Sequence, residues 1–500
     1  MADEIELKLA LAEADHARFL RHPLLRQAVA RQALQLDNIY YDTESLTLRL
    51  RCVALRLRRK GRLWLQTVKL ACNAAAGLSS RPEWESPYAG HFDFSAIEDE
   101  ELRVWLQRPK LLARIVPVCE TRFRRNSWTF PAEGGTVLLT LDRGWVIGGG
   151  RREVISELEL ELADAPVPAL FTLAGQLAAR VPLVPAVLSK AERGYRLHAG
   201  TAPAPVKAAP IVLAADSTPF AAFCRIALAC LEHLQQNHPG ALHSEDVEYI
   251  HQMRVATRRL RAALRLFAPA LPPGLREELR APLSALMRQL GTARDLDVLQ
   301  AEIVDPVLRA LPEEPRLSAL ASAITNRRYA ARREVLAALA TPAHGSLLLN
   351  TMSALHPTLP PPGEAPLADF AAHRLLRLAR RVRRLALTVN ADDPPALHAL
   401  RIAVKRLRYG LEFFATVRGL SRLRHMQANL AATQDVLGKL NDLANAGVLL
   451  TDCTGHDAQL REAVALVGGW HGPRYTALLG EVTALLPKLA RLRLPAAPEA

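Results

Sequence analysis

The spacing of apolar residues changes once along this chain, and the change divides it. Before residue 199 they alternate with polar ones in short runs, as in EIELKL (4–9), ALRLRRK (54–60), LWLQTVKL (63–70) and VISELELEL (154–162). A period of two makes strands with one apolar face. After residue 219 the apolar residues recur at steps of three and four, which makes long amphipathic helices. The segment Ala199 to Pro219 is rich in Ala and Pro, has neither period and reads as an extended linker. The expected class is α+β: an antiparallel strand domain over 1–200, a linker over 201–216 and an all-helical domain over 217–490. The linker has no apolar face, so a fragment ending near Gly200 is expected to stand alone.

The helical part is an internal duplication. His251-x-x-Arg254-x-x-x-Arg258-Arg259-Leu260-Arg261 returns as His398-x-x-Arg401-x-x-x-Lys405-Arg406-Leu407-Arg408, 147 positions on. Leu290-Gly291-x-x-Arg294-Asp295 returns as Leu437-Gly438-x-x-Asn441-Asp442 at the same displacement. Two motifs sharing one offset define two related bundles, about 217–355 and 367–490, divided by the Pro-rich stretch Leu359 to Pro366.

Charge narrows the partners. The net charge is +14. About 28 basic and 24 acidic residues precede position 201, against about 36 and 26 after it. Such an excess attracts polyanions by long-range field and counterion release. No run approaches the roughly 20 apolar residues that cross a bilayer, so no membrane partner is expected. The first residues lack the layout of a secretory signal. The six cysteines lie far apart without a Cys-x-x-Cys pair, which speaks against zinc and against a disulfide framework, and so for a reducing cytoplasm. No Walker A loop and no nucleophilic Ser, Cys or His constellation is present.

In the strand part, charges sort by face. Glu4, Glu6 and Lys8 share one face; so do Arg56, Arg58 and Lys60, and Glu157, Glu159 and Glu161, while Lys69 closes its own strand. Solvent faces mix Ser, Thr, Gln and Lys, whereas these carry carboxylate pairs and arginine pairs. The pattern suits a barrel turned inside out, with charge in the lumen. Carboxylates at i and i+2 supply hard oxygen ligands for Mg²⁺ or Mn²⁺. Arg and Lys grip phosphate oxygens.

These residues carry a resemblance. Glu4-x-Glu6-x-Lys8, Tyr40-Tyr41-Asp42-Thr43, Leu55-Arg56-Leu57-Arg58, Thr67-x-Lys69, Arg81-x-Glu83, Asp142, Glu157-x-Glu159 and Ser189-Lys190-x-x-Arg193-Gly194-Tyr195 stand in the order found in the CYTH family of triphosphate tunnel metalloenzymes. The resemblance implies an eight-stranded antiparallel tunnel with flanking helices, binding a triphosphate and divalent metal. It implies metal ligation by Glu4, Glu6, Glu157 and Glu159, and phosphate binding and catalysis by Lys8, Arg56, Arg58, Lys69, Arg125 and Lys190. Glu83, Glu85 and Asp142 are further acidic candidates.

On the helices, steps of three and four line up His251, Arg254, Arg258, Arg261 and Arg265, with His398, Arg401, Lys405 and Arg408 in the repeat. A third helix carries Arg374, Arg377, Arg381 and Arg384 on one side. Like charges at i, i+4 repel by a few tenths of a kcal/mol per pair, and a polyanion relieves them. The duplicated pattern resembles the CHAD domain, which implies binding of inorganic polyphosphate through His251, Arg254, Arg258, Arg261, His398, Arg401, Lys405 and Arg408. Asp295, Asp297 and Asp442 are expected to orient arginines. The combined expectation is hydrolysis of inorganic triphosphate to diphosphate and phosphate. The alternatives are action on nucleoside or thiamine triphosphate, cyclisation of ATP, or a non-catalytic polyphosphate adaptor. Sequence-specific nucleic-acid binding is not expected, since aromatics are only 5% and stacking platforms are scarce.

Overall fold

The computed structural model describes residues 4–70, 74–214, 216–356, 366–417, 423–455 and 457–494. Two compact units result: residues 1–206 with 340–358, and residues 207–339 with 359–500.

The first unit is one curled antiparallel sheet. Its main strands are β1 (Glu4–Leu11), β2 (Ala30–Thr43), β3 (Val53–Lys60), β4 (Leu63–Leu70), β5 (Leu78–Arg81), β6 (Glu83–Pro87), β7 (Ile115–Ala132), β8 (Gly135–Gly148) and β9 (Arg151–Ala163). They run in the order β5-β1-β9-β8-β7-β2-β3-β4-β6. Only Pro82 separates β5 from β6, yet β5 pairs with β1 and β6 with β4. Proline cannot donate to a ladder, so the chain changes partner there. One nearly continuous stretch thus joins the two edges. A short strand, β10 (Leu183–Pro185), adds to β1.

Alternation decides what each face meets. Leu7, Leu9, Leu139, Leu141, Leu158 and Leu160 are fully buried on the face opposite the charges. Helix α1 (Val167–Ala178) lies on β9 with Leu170, Phe171 and Leu177 buried. Elsewhere Leu55, Val68 and Trp84 form a core with Trp105 and Leu106. Helix α2 (Lys190–Ala199) starts where Ser189 Oγ accepts the Glu192 N–H, and it crosses β7, β8 and β9. Gly194 permits that crossing, because a Cβ there would lie 2.3 Å from Cys119 Sγ.

The remaining long helices are α3 (Pro219–His243), α4 (Glu248–Leu266), α5 (Leu275–Val298), α6 (Pro315–Leu339), α7 (Pro342–Ala354), α8 (Leu367–Thr388), α9 (Pro394–Phe413), α10 (Arg424–Thr454) and α11 (Ala458–Ala490). All but α7 build the second unit. The 147-residue offset is visible in its core. Phe223 meets Phe267 at 6.0 Å between centroids, and their counterparts Phe370 and Phe414 meet at 6.5 Å. Phe267 touches both Phe370 and Phe414 at 5.4 Å, so the copies share one aromatic centre.

Two expectations need correcting. Residues 340–355, counted in the first repeat from sequence, form α7, which packs on α1 and β10 in the first unit. A fragment ending at Gly200 therefore lacks a helix of its own unit. The cysteine spacing predicts no disulfide framework, yet Cys52 is disulfide-bonded, whereas Cys119, Cys224, Cys230 and Cys453 are free. Cys72 and all of the Pro-rich stretch except Pro366 lie outside the described residues. No described helix is long and apolar enough to cross a membrane.

Candidate functional sites

The charged faces of the strands enclose a cavity of about 470 Å³. Pairing sets its layout: across β1 and β9, Lys8 faces Glu159 and Glu6 faces Glu161. Lys8, Arg56, Arg58, Lys69, Arg125 and Lys190 all line the cavity. Of the four proposed acidic ligands, Glu4, Glu6 and Glu159 line it. Glu157 is 4% exposed and sits against Lys190 and Arg193. Strand alternation separates the arginines of β7. Arg125 points inward beside Phe123, while Arg122 pairs with Glu120 outside. Asp42 shapes the turn after β2, where its carboxylate accepts the N–H groups of Thr43, Leu48 and Arg49.

Ion pairs join strands that are distant in sequence. Lys190 Nζ lies 2.7 Å from Asp142, 2.5 Å from Glu157 and 2.8 Å from Glu159. Arg125 donates to Asp142 at 2.6 Å and to Glu159 at 2.5 Å. Lys69 bridges Glu4 at 2.6 Å and Glu83 at 2.5 Å, tying β4 to β1 and β6. Although burial opposes it, Lys190, Arg125 and Lys8 hold Glu159 well below the usual carboxylate range.

Compensation is uneven, and the unevenness has a direction. Arg58 donates to Asn38 at 3.0 Å and stands 4.0 Å from Glu85. Burial, with Arg56 and Arg125 beside it, pushes its guanidinium down to about 10. Glu161 shows the opposite deficit. Burial, with Glu4, Glu6 and Glu83 near, pushes its carboxyl up to about 7. Arg58 is thus a buried cation without a close carboxylate, and Glu161 a buried acid among acids.

Asp142, Glu157 and Glu159 offer oxygens within 4.8 Å of one another, the one such group among the described residues. Lys190 already stands among them as their counter-ion. Glu4, Glu6 and Glu161 are further acids on the cavity wall, with Glu4 paired to Lys69 at 2.6 Å and Glu6 to Lys8 at 3.5 Å. Sequence reasoning left Glu161 and Arg81 out of the site. Both line the cavity, and Arg81 lies 3.6 Å from Glu6. Their signal was present, since each shares its strand face with a chosen acidic residue.

In the second unit the two basic stripes converge. Lys405 is surrounded by Arg258, Arg401, Arg254 and Arg408, and burial with these neighbours pushes its ammonium down to about 6. Arg258 donates to Tyr409 Oη at 2.6 Å. Arg254 reaches Asp295 at 3.4 Å, and Arg328 reaches Asp297 at 2.8 Å. His251 is driven down to about 4 by burial and Arg294, whereas exposed His398 pairs with Asn441 at 2.8 Å. Arg408 is held by Gln434 at 2.8 Å, and Arg261 stands near Arg288.

A charged strand lumen followed by a duplicated basic bundle defines a two-domain class, and comparison with known proteins gives its families. Residues 2–195 match the CYTH domain and residues 225–451 the CHAD domain. The chain belongs to the CYTH–CHAD proteins. It is 29% identical over 197 residues to an inorganic triphosphatase of Haemophilus influenzae, a match covering 39% of this chain. That match spans 55% of the relative, little more than half its length. It is 28% identical over 408 residues to an uncharacterised protein of Mycobacterium tuberculosis, covering 75% of each. The crystal structure of the CHAD domain from Ricinus communis is 33% identical, with a TM-score of 0.51, covering 59% of this chain and 99% of that one.

Proposed function

We propose that the strand unit hydrolyses inorganic triphosphate to diphosphate and phosphate with Mg²⁺ or Mn²⁺, and that the helical unit binds inorganic polyphosphate. The observation that carries the first part is the split compensation of the lumen. Arg58 reaches a carboxylate, Glu85, only at 4.0 Å, and Glu161 stands buried among Glu4, Glu6 and Glu83. A triphosphate with its metal supplies an anion to the one and a cation to the other. The likeness to an inorganic triphosphatase supports the same reading.

In this reading Lys8, Arg56, Arg58 and Arg125 align the phosphates and take up charge as it grows on the oxygens. Glu4 and Glu6, with Glu161 on the neighbouring strand, would hold the metal, which would neutralise phosphoryl charge and acidify water. Lys190 fixes Glu159 in place. Lys69 holds Glu4 toward the cavity. Arg58→Ala is expected to lower kcat/KM for tripolyphosphate at least about tenfold, roughly 1.4 kcal/mol. Unchanged kinetics, measured by phosphate release, would remove Arg58 from the phosphate site.

Charge in the helical cluster makes anion binding depend on pH. With its lowered value of about 6, Lys405 is largely neutral at pH 8 in the free protein. A bound polyanion restores its proton, so binding takes up a proton and weakens as pH rises through 6 toward 8.5. Titrations of long polyphosphate at constant ionic strength should show this trend in the wild type and a flatter one in Lys405→Ala. A pH-independent wild-type affinity would count against the cluster as the binding face.

A further inference from the structure

One cation of the lumen is held differently from its neighbours. Arg56 has Glu83 at 3.1 Å, Lys69 has Glu4 at 2.6 Å and Arg81 has Glu6 at 3.6 Å. Arg125 has Asp142 at 2.6 Å, and Lys190 has three carboxylates within 2.8 Å. Arg58 instead donates its Nε to the neutral amide oxygen of Asn38 at 3.0 Å, while Glu85 stands 4.0 Å from its Nη1. Neither Nη group of Arg58 has a hydrogen-bond acceptor among the described residues.

The register of the sheet makes this hold rigid. Arg58 on β3, Asn38 on β2 and Thr121 on β7 stand directly opposite one another, in one row across three strands. Asn38 is 2% exposed and Thr121 is fully buried. An arginine nitrogen only donates, so the Asn38 amide turns its oxygen to Arg58. Its NH2 then faces Thr121, whose hydroxyl oxygen accepts at 2.8 Å. Turned over, the amide would set donor against donor at Arg58.

Two features of Arg58 make such a hold useful. Arg56 and Arg125 lie near enough to repel it, and a long side chain left untied has many rotamers to escape into. A carboxylate at position 38 would also tie it, but would spend its charge inside the protein. The neutral amide occupies Nε alone. Both Nη groups stay free, and the guanidinium keeps its full charge for oxygens that enter the cavity.

We infer that Asn38, backed by Thr121, is a positioning residue for phosphate binding, fixing Arg58 in the lumen without neutralising it. This role presupposes the triphosphate site proposed for the lumen. Arg58 meets the phosphoryl oxygens, and Asn38 acts only through Arg58.

The test is a double-mutant cycle on the full chain, read as kcat and KM for tripolyphosphate with Mg²⁺. Its members are wild type, Asn38→Ala, Arg58→Ala and the two together, with Asn38→Asp, Thr121→Val and Thr121→Ser beside them. Circular dichroism and melting curves establish that each is folded. Asn38→Ala should lower kcat/KM at least about fivefold in the wild type and less than about twofold in the Arg58→Ala background. Asn38→Asp keeps the shape and sets a charge against Arg58, so it should raise KM at least about tenfold, with kcat changed less. Thr121→Val should follow Asn38→Ala, and Thr121→Ser, which keeps the hydroxyl, should recover most of the loss. If the wild type hydrolyses tripolyphosphate and Asn38→Ala costs the same factor in both backgrounds, Asn38 does not act through Arg58 and this inference alone is overturned. A wild type that releases no phosphate from tripolyphosphate overturns the proposed triphosphate site, and the role of Asn38 falls with it. Should Asn38→Ala misfold, the cycle is run with Thr121→Val in its place against the same thresholds.

Discussion

Lys190→Ala is expected to cost about 3–5 kcal/mol of stability, the scale for removing one partner of a buried charge network. Three carboxylates converge on this ammonium, and Asp142 is fully buried. Arg125 and Arg193 remain, but they already serve Asp142, Glu159 and Glu157. The loss has a pH signature. Glu159 is held well below its ordinary 4.5, so the stability it contributes is present above about pH 4.5 and lost as pH falls through its folded value. Without Lys190 that depression shrinks, and the gap between variant and wild type should close on acidification. Denaturant melts at pH 7.5 and in a series descending to about pH 2 check both statements. An equal stability at pH 7.5 would mean that the network does not exist.

A comparable loss is expected when α7 is taken from the first unit. Its Leu348, Leu349 and Met352 are at most 1% exposed. Burying each is worth about 1.5–3 kcal/mol. A fragment ending at Gly200 leaves the faces of α1 and β10 bare, so it should melt well below the same fragment carrying residues 340–356 on a short tether. Within the full chain, Gly345→Val is the focused probe. A Cβ at 345 would stand 1.9 Å from the Leu183 carbonyl oxygen, and backbone cannot yield like a side chain. Overpacking of this kind costs about 1–3 kcal/mol. Hydrogen exchange should rise in 167–185. If the short fragment is as stable as the tethered one, α7 adds nothing to the tunnel.

How far the sequence could be read follows from the range of the interactions. The lumen was legible because a period of two is local: Glu4, Glu6 and Lys8 share a face whatever lies opposite. The same rule pointed to Glu161 and Arg81, and leaving them out was a matter of selection rather than missing signal. Lys190 among Asp142, Glu157 and Glu159 was not legible as a network, since it needs two neighbouring strands and a helix in register. The packing of α7 was hidden for a different reason. Its helical pattern is clear, but nothing local says that its apolar face belongs to a sheet some 160 residues earlier. The offset of 147 revealed the duplication, and only the packed bundle showed that the copies share one aromatic centre.

The central claim is that the lumen joins a metal and a triphosphate for hydrolysis. The most direct measurement is phosphate release by the purified full chain from tripolyphosphate, ATP, thiamine triphosphate and long polyphosphate, with Mg²⁺, with Mn²⁺ and with chelator. Glu4→Gln and Glu6→Gln are measured alongside. The account predicts fastest turnover on tripolyphosphate, none with chelator, and turnover lost in both variants while they remain folded. Equal rates with chelator, or wild-type rates and metal dependence in both variants, would contradict it.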